Sequence, residues 1–298
     1  MTDMRARFVQ TASALLDEDP RVAVLLAEIS EDRFAPAIRA HPDRVINLGI
    51  MEQTMIGAAA GFAMEGFRPI AHSIAPFLVE RPFEQIKIDF GYQGLGGSLV
   101  SCGASYDYGA EGATHHAPGD VAALLAIPGV EVMVPGTPDE LERLLRATYA
   151  NGRLTYVRGS NAENLSSFPV EPGRIEVVRR GSQATVLAVG PMLGRTLAAF
   201  EGLDLTIAYV TSVSPFDAAG LRAIAGDRPL VVTVEPFYQG TLVPAVAEAL
   251  QDVPSQIASI GVARGFIHTY GTAPEHDRDV GLDEASLRAK VEGSFLDT

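Results

Sequence analysis

A single cysteine, Cys102, stands in the 298 residues, which excludes an internal disulfide and a metal site built from several thiolates. Basic residues are scarce: 23 Lys and Arg against 37 Asp and Glu leave a net charge of −14. A surface of that sign repels phosphate backbones and anionic lipid, so neither a nucleic acid nor a membrane is expected as a partner. One local basic spot for a small anion is still compatible with it. Long apolar runs are missing too. The longest, residues 56–64 and 121–128, fall well short of the ~20 residues that cross a bilayer. The N-terminal Met1-Thr2-Asp3-Met4-Arg5 lacks the basic-then-apolar layout of a secretory signal. Together these features set the expectation of a cytoplasmic protein. Cys102, among small apolar residues, reads as a buried structural thiol.

Familiar catalytic signatures are absent as well. No Gly-rich phosphate loop ends in Lys-Ser/Thr, and Gly94-Leu95-Gly96-Gly97 leads into a strand where a dinucleotide fingerprint needs a helix. None of the six histidines forms a His-Glu-x-x-His pair, and no Gly-x-Ser-x-Gly elbow occurs. No metal site is expected from this chain's own residues.

What is present is an ordinary globular composition, 47% hydrophobic and 20% charged, over a length worth about two domains at ~150 residues each. Short apolar runs at 22–26, 45–48, 69–74, 99–102 and 130–134 read as buried strands. Between them, helices are expected at 4–16, 52–65, 83–92, 118–125 and 138–149. Residues 160–180, rich in Asn, Ser, Pro and Gly, read as a boundary. The alternation then resumes, with strands at 185–189, 205–210, 230–234 and 257–260 and helices at 192–200, 217–224 and 242–250. This is the pattern of an α/β chain: two domains, each a mostly parallel sheet flanked by helices. The expected organisation is a first domain over 1–162, a linker over 163–179 and a smaller second domain over 180–298.

Three segments carry candidate chemistry. Glu52, in Gly49-Ile50-Met51-Glu52-Gln53, opens a helix among apolar residues with no Lys or Arg nearby in the chain. Gly57 and Gly61 let that helix approach a neighbour closely. A carboxyl that loses water there would hold its proton nearer neutral pH and serve as a proton donor. The alternative is an exposed first-turn glutamate that complements the helix dipole. Gly109-Ala110-Glu111-Gly112-Ala113-Thr114-His115-His116 is a loop between strand and helix, where parallel sheets form binding crevices. His115 reads as an acid/base group or oxyanion donor, or else as a loop histidine capping the next helix. Phe77 and Phe83 flank Glu80-Arg81-Pro82, either as core residues or as a platform for a flat cofactor.

In order and spacing these segments resemble the pyrimidine-binding domain of transketolase, in the form where that enzyme is split into two subunits. The carrying stretches are Ile46-Asn47-Leu48-Gly49-Ile50-Met51-Glu52-Gln53, Pro76-Phe77 through Gln85-Ile86, Gly109 through His115, and Ile127-Pro128-Gly129 through Thr137-Pro138. Residues 180–270 are similar to the family's C-terminal domain. The resemblance implies thiamine diphosphate as cofactor. Glu52 would hydrogen-bond a pyrimidine ring nitrogen and drive the tautomer that deprotonates the thiazolium carbon. Phe77 would stack on the pyrimidine, with Met51 and Glu28 also lining the cofactor. His115 and Glu111 would touch substrate oxygens, and Arg158 would hold a substrate phosphate. The family binds the diphosphate and its magnesium on a separate domain carrying Gly-Asp-Gly…Asn. No Gly-Asp-Gly occurs here, and Gly119-Asp120-Val121 is the nearest approach to it.

The implied function is transfer of a two-carbon ketol, or a related acyl unit, between small carbonyl compounds. It would need an N-terminal diphosphate-binding subunit in a heterotetramer of two of each, with self-association through the pyrimidine domain. The alternatives are the β subunit of a 2-oxo-acid dehydrogenase or acyloin-forming synthase, and a non-catalytic scaffolding subunit. Departures from the family pattern, such as Glu111 where an aspartate is usual and His116 after the Thr-His pair, weaken a sugar-phosphate substrate more than they weaken the cofactor.

Overall fold

Side chains that alternate between two apolar layers explain the first sheet. In β1 (Val22–Leu26), Val22, Val24 and Leu26 pack into one apolar layer with Phe8, Leu15 and Leu16. Ala23 and Leu25 face the opposite layer with Met55 and Ile56. This is the two-residue period of a strand buried on both faces. The computed structural model describes residues 3–227 and 229–294. β1, β2 (Val45–Asn47), β3 (Arg68–Ile74), β4 (Gly97–Cys102), β5 (Glu131–Met133) and β6 (Leu154–Arg158) are parallel, in the spatial order β5-β6-β4-β3-β1-β2. The second sheet contains β7 (Ile175–Arg179), β8 (Ala184–Val189), β9 (Leu205–Val210), β11 (Leu230–Tyr238) and β12 (Gln256–Val262), ordered β12-β11-β8-β9-β7. It is parallel except for β7, which runs antiparallel to β9.

The helices follow the expected alternation, with additions. α1 (Met4–Glu18), α2 (Glu31–Ala40), α3 (Glu52–Met64), the single turn α4 (Phe83–Gln85), α5 (Asp120–Leu124) and α6 (Pro138–Thr148) belong to the first half. α7 (Leu193–Ala199), α8 (Ala218–Ala225), α9 (Val243–Ala249), α10 (Ala273–Val280) and α11 (Glu284–Ser294) belong to the second. α2 leaves no clear trace in the sequence pattern because its surface is polar and Pro36 lies within it; only Phe34 and Ala37 are buried. The expected helix over 83–92 continues past α4 as a wider turn, Ile86–Tyr92.

The stretch expected as a linker, 163–179, ends in β7, which pairs with β9. In return β10 (Ser212–Ser214), from the second half, pairs antiparallel with β5 and becomes an edge strand of the first sheet. The halves are also joined at Glu140. Its buried carboxylate accepts from Tyr209 Oη (2.6 Å), Gly136 N (2.8 Å) and Phe168 N (2.9 Å). Cys102 is buried, and loss of water pushes its thiol up to about 11, as befits an inert structural sulfur.

His72, on β3, is a buried polar group with a pH consequence. Its Nδ1 bonds the Val100 carbonyl at 2.7 Å, and its Nε2 shares a hydrogen bond with Ser30 Oγ at 2.9 Å. Burial pulls the ring down to about 3, against the opposing pull of the Val100 carbonyl. In the unfolded chain the ring takes up a proton below its ordinary 6.5, while the folded ring stays neutral. Stability from this group is therefore full above that value and falls as pH drops toward 3, by up to ~1.4 kcal/mol per pH unit. His72→Gln is expected to flatten the acid side of a stability-against-pH curve from urea melts by about one proton's worth of slope. An unchanged slope would remove His72 as the cause.

Candidate functional site

The carboxyl ends of β1 to β4 all open on one edge of the first sheet, where open α/β sheets form their ligand crevice. After β1, Glu28 holds a left-handed backbone (φ 70°) and is exposed. Asn47 Oδ1, at the end of β2, accepts from Glu28 N at 3.0 Å and Gly49 N at 2.9 Å, tying the two strand ends together. After β2, Ile50 and Met51 are exposed and Glu52 starts α3 with only 1% of its surface accessible. The reading of Glu52 as an exposed helix-dipole partner is thereby excluded.

No Lys or Arg lies near Glu52 along the chain, but the fold supplies a cation. Arg81, 29 residues away, folds back so that one guanidinium nitrogen lies 2.9 and 2.8 Å from the two carboxylate oxygens. The route is the wide turn Pro76–Glu80 after β3, in which Arg81 N bonds Pro76 O at 3.1 Å. Such i→i+5 turns inside helical segments recur at functional sites. The turn places the Arg81 guanidinium over the Phe77 ring, 4.2 Å from its centroid, within cation–π range. Phe77 in turn meets His115 edge-on with ring centroids 5.0 Å apart. Glu52, Arg81, Phe77 and His115 thus form one contiguous row from three loops. Sequence reasoning misses Arg81 because its partner is distant along the chain. Its spacing of four from Phe77 is the available signal.

The loop Gly109–Thr114 forms a tight turn. Its glycines serve packing: a Cβ on Gly112 (φ 72°) would lie 2.5 Å from the Tyr270 ring, and one on Gly109 would collide with His276 and the Gly271 carbonyl. The second half of the chain therefore clamps this loop. His115 Nδ1 shares a 3.0 Å hydrogen bond with Thr114 Oγ1, and Glu111 is exposed beside it. His116 and His276 are buried edge-to-face with centroids 5.4 Å apart. Tyr106 Oη donates to Asp277 at 2.7 Å, and Arg195 pairs with the same carboxylate. Of this supporting layer only His116 stands out from the sequence.

Arg158 requires a correction. Expected to hold a substrate phosphate, it has no accessible side-chain surface and pairs with equally buried Asp120, Nε to Oδ2 at 2.7 Å. Its Nη2 donates to Ser105 Oγ at 3.0 Å, and Tyr156 Oη donates to Asp120 at 2.8 Å. A guanidinium so enclosed is a structural ion pair. Beside this pair, Glu80 is pushed up to about 7 by loss of water and by the Asp120 charge. Among the described residues no group of three or more His, Cys, Asp or Glu is placed to hold a metal ion. Nor is any described helix long and apolar enough to cross a membrane.

Comparison with known proteins agrees with this two-domain fold. Residues 1–163 match the family described as the transketolase pyrimidine binding domain, and residues 173–287 the transketolase C-terminal domain. An uncharacterized 33.6 kDa protein of the fasciation locus of Rhodococcoides fascians is 43% identical, covering 99% of this chain and 95% of its own. A subunit of the apulose-4-phosphate transketolase of Actinobacillus succinogenes is 27% identical over 95% of this chain and 94% of its own. A solved structure described as a split gene transketolase, inactive beta4 tetramer, superposes with a TM-score of 0.84 at 26% identity, over 98% of this chain and 97% of that one. The chain belongs to the transketolase family and carries its pyrimidine-binding and C-terminal domains.

Proposed function

We propose that this chain is one subunit of a thiamine diphosphate-dependent transketolase-type enzyme that moves a two-carbon ketol unit between small carbonyl compounds. The observation that carries the reading is the row Glu52–Arg81–Phe77–His115. A buried carboxylate and an aromatic face together already hold a flat, hydrogen-bonding cation. A place that accepts a planar guanidinium fits a planar aminopyrimidine by the same two contacts. Bound there, thiamine diphosphate would supply a carbon nucleophile able to carry the ketol unit.

The chain's own residues do the rest. Glu52, shielded from water, would hydrogen-bond a ring nitrogen, and Phe77 would orient the ring by stacking. His115, edge-on to Phe77, is positioned to donate to a substrate oxygen or accept its proton. Glu111, exposed in the same loop, is the reading's candidate for a substrate hydroxyl. Glu28 and Met51, both exposed, would line the cofactor. Diphosphate and magnesium fall to a partner subunit, since no Gly-Asp-Gly lies in this sequence. Similarity to a subunit of a transketolase supports a two-subunit enzyme. The exposed face of α3, with Gly57 half-buried and Gly61 and Met64 exposed, supports self-association.

Calorimetry tests this reading. The chain alone should give little heat with thiamine diphosphate and elute on sizing as a dimer or larger. The complex with a diphosphate-binding partner should show saturable, magnesium-dependent binding. Submicromolar binding by the chain alone would contradict the division of labour, and no binding by the complex would end the cofactor assignment.

A further inference from the structure

The Arg81 guanidinium makes two contacts: it donates to the Glu52 carboxylate at 2.8 and 2.9 Å, and it lies on the Phe77 face at 4.2 Å. These are the two contacts that the proposed function gives to the aminopyrimidine. Two planar groups cannot stack on the same face of one ring, and the guanidinium nitrogen already sits against both Glu52 oxygens. We propose that Arg81 is an internal stand-in for the pyrimidine, occupying the cofactor's place and swinging out to admit it.

The asymmetry of the pair suits this role. The Glu52 side chain is 2% exposed and that of Arg81 is 40% exposed, so the arginine can leave for water without unpacking the core while the glutamate cannot. Without a cation, Glu52 would be a buried, uncompensated carboxylate, which is costly. With Arg81 in place the site stays closed and neutral. When a ring nitrogen replaces the guanidinium, Glu52 exchanges a fixed positive charge for a shared proton. The closed state lowers apparent affinity in proportion to the rarity of the open one. Ring binding would then be strengthened by anything that draws Arg81 outward, such as an anionic group on the cofactor's far end or on the subunit that holds it.

This inference rests on the pyrimidine reading of the site, and the test separates the two. The probe is the hydroxymethyl aminopyrimidine half of thiamine, which needs no diphosphate site. It is titrated into the full chain by ligand-detected NMR and thermal melting. Arg81→Ala should bind it at least ~10-fold more tightly than the unchanged chain. The variant should melt lower without the probe and gain more stability from it. Arg81→Met, which keeps the apolar stem but loses the donor fork, should behave alike and covers the case in which the alanine variant folds poorly. Adding Phe77→Ala should abolish the gain. Equal binding by the unchanged chain and Arg81→Ala would preserve the pyrimidine site and overturn the stand-in. Weaker binding by Arg81→Ala would make Arg81 a ligand contact and overturn it too. Binding to none of them would remove the pyrimidine site itself, and the stand-in with it.

Discussion

Glu52→Gln, assayed in the complex with a diphosphate-binding partner, should slow hydrogen–deuterium exchange at the thiazolium carbon by at least ~10²-fold, the low end for a positioned acid–base group. Glutamine keeps the length and still offers a carbonyl to Arg81, but it cannot share an acidic proton with a ring nitrogen. The fold should tolerate the change, because the orphaned Arg81 side chain is already 40% exposed and can return to water. The expected loss is about 1 kcal/mol, the worth of a typical hydrogen bond. A purely structural Glu52, kept only as the partner of Arg81, predicts a lower melting point with exchange unchanged. That pair of results would refute the proton-sharing role. The two measurements must be run on the same preparation, since only their combination separates chemistry from packing.

The buried Asp120–Arg158 pair should respond quite differently. Asp120→Ala is expected to cost about 3–5 kcal/mol in urea unfolding, the range for breaking one side of a buried ion pair. The Arg158 side chain has no accessible surface, so its charge cannot be rehydrated once the carboxylate is gone. Tyr156 Oη loses its Asp120 acceptor too, though Ser101 Oγ lies 3.0 Å away. Asp120→Asn keeps an acceptor and should cost less. The double variant Asp120→Leu with Arg158→Met removes both charges and should recover much of the loss, because desolvation offsets most of what such a pair contributes. A loss below ~1 kcal/mol for Asp120→Ala would place the pair among solvent-screened surface bridges. In that event the burial that disqualifies Arg158 as a phosphate ligand would need revision.

Sequence alone determined what is periodic or local. Short apolar runs placed β1, β3, β4 and β8 close to where they lie, because a strand buried on both faces is written in consecutive apolar residues. The helix opening at Glu52, the buried setting of Cys102 and the loop leading to His115 were likewise legible from neighbouring residues, as were the motifs that mark a transketolase-type pyrimidine domain. Tertiary structure decided the pairings of charge. Whether Glu52 has a cation depends on its distance in space from Arg81, and the 29 intervening residues hide that distance from any reading of neighbours along the chain. Arg158, which the resemblance to transketolase offers as a phosphate ligand, is closed off from water once the fold brings Asp120 against it. β10 is too short to have a visible period, so only the sheet edge that it completes reveals it. The clamp of Tyr270 and His276 on the Gly109–Thr114 loop likewise exists only once two distant segments meet. Local pattern fixes which face of an element turns inward, whereas Coulomb and packing energies depend on which elements then come together.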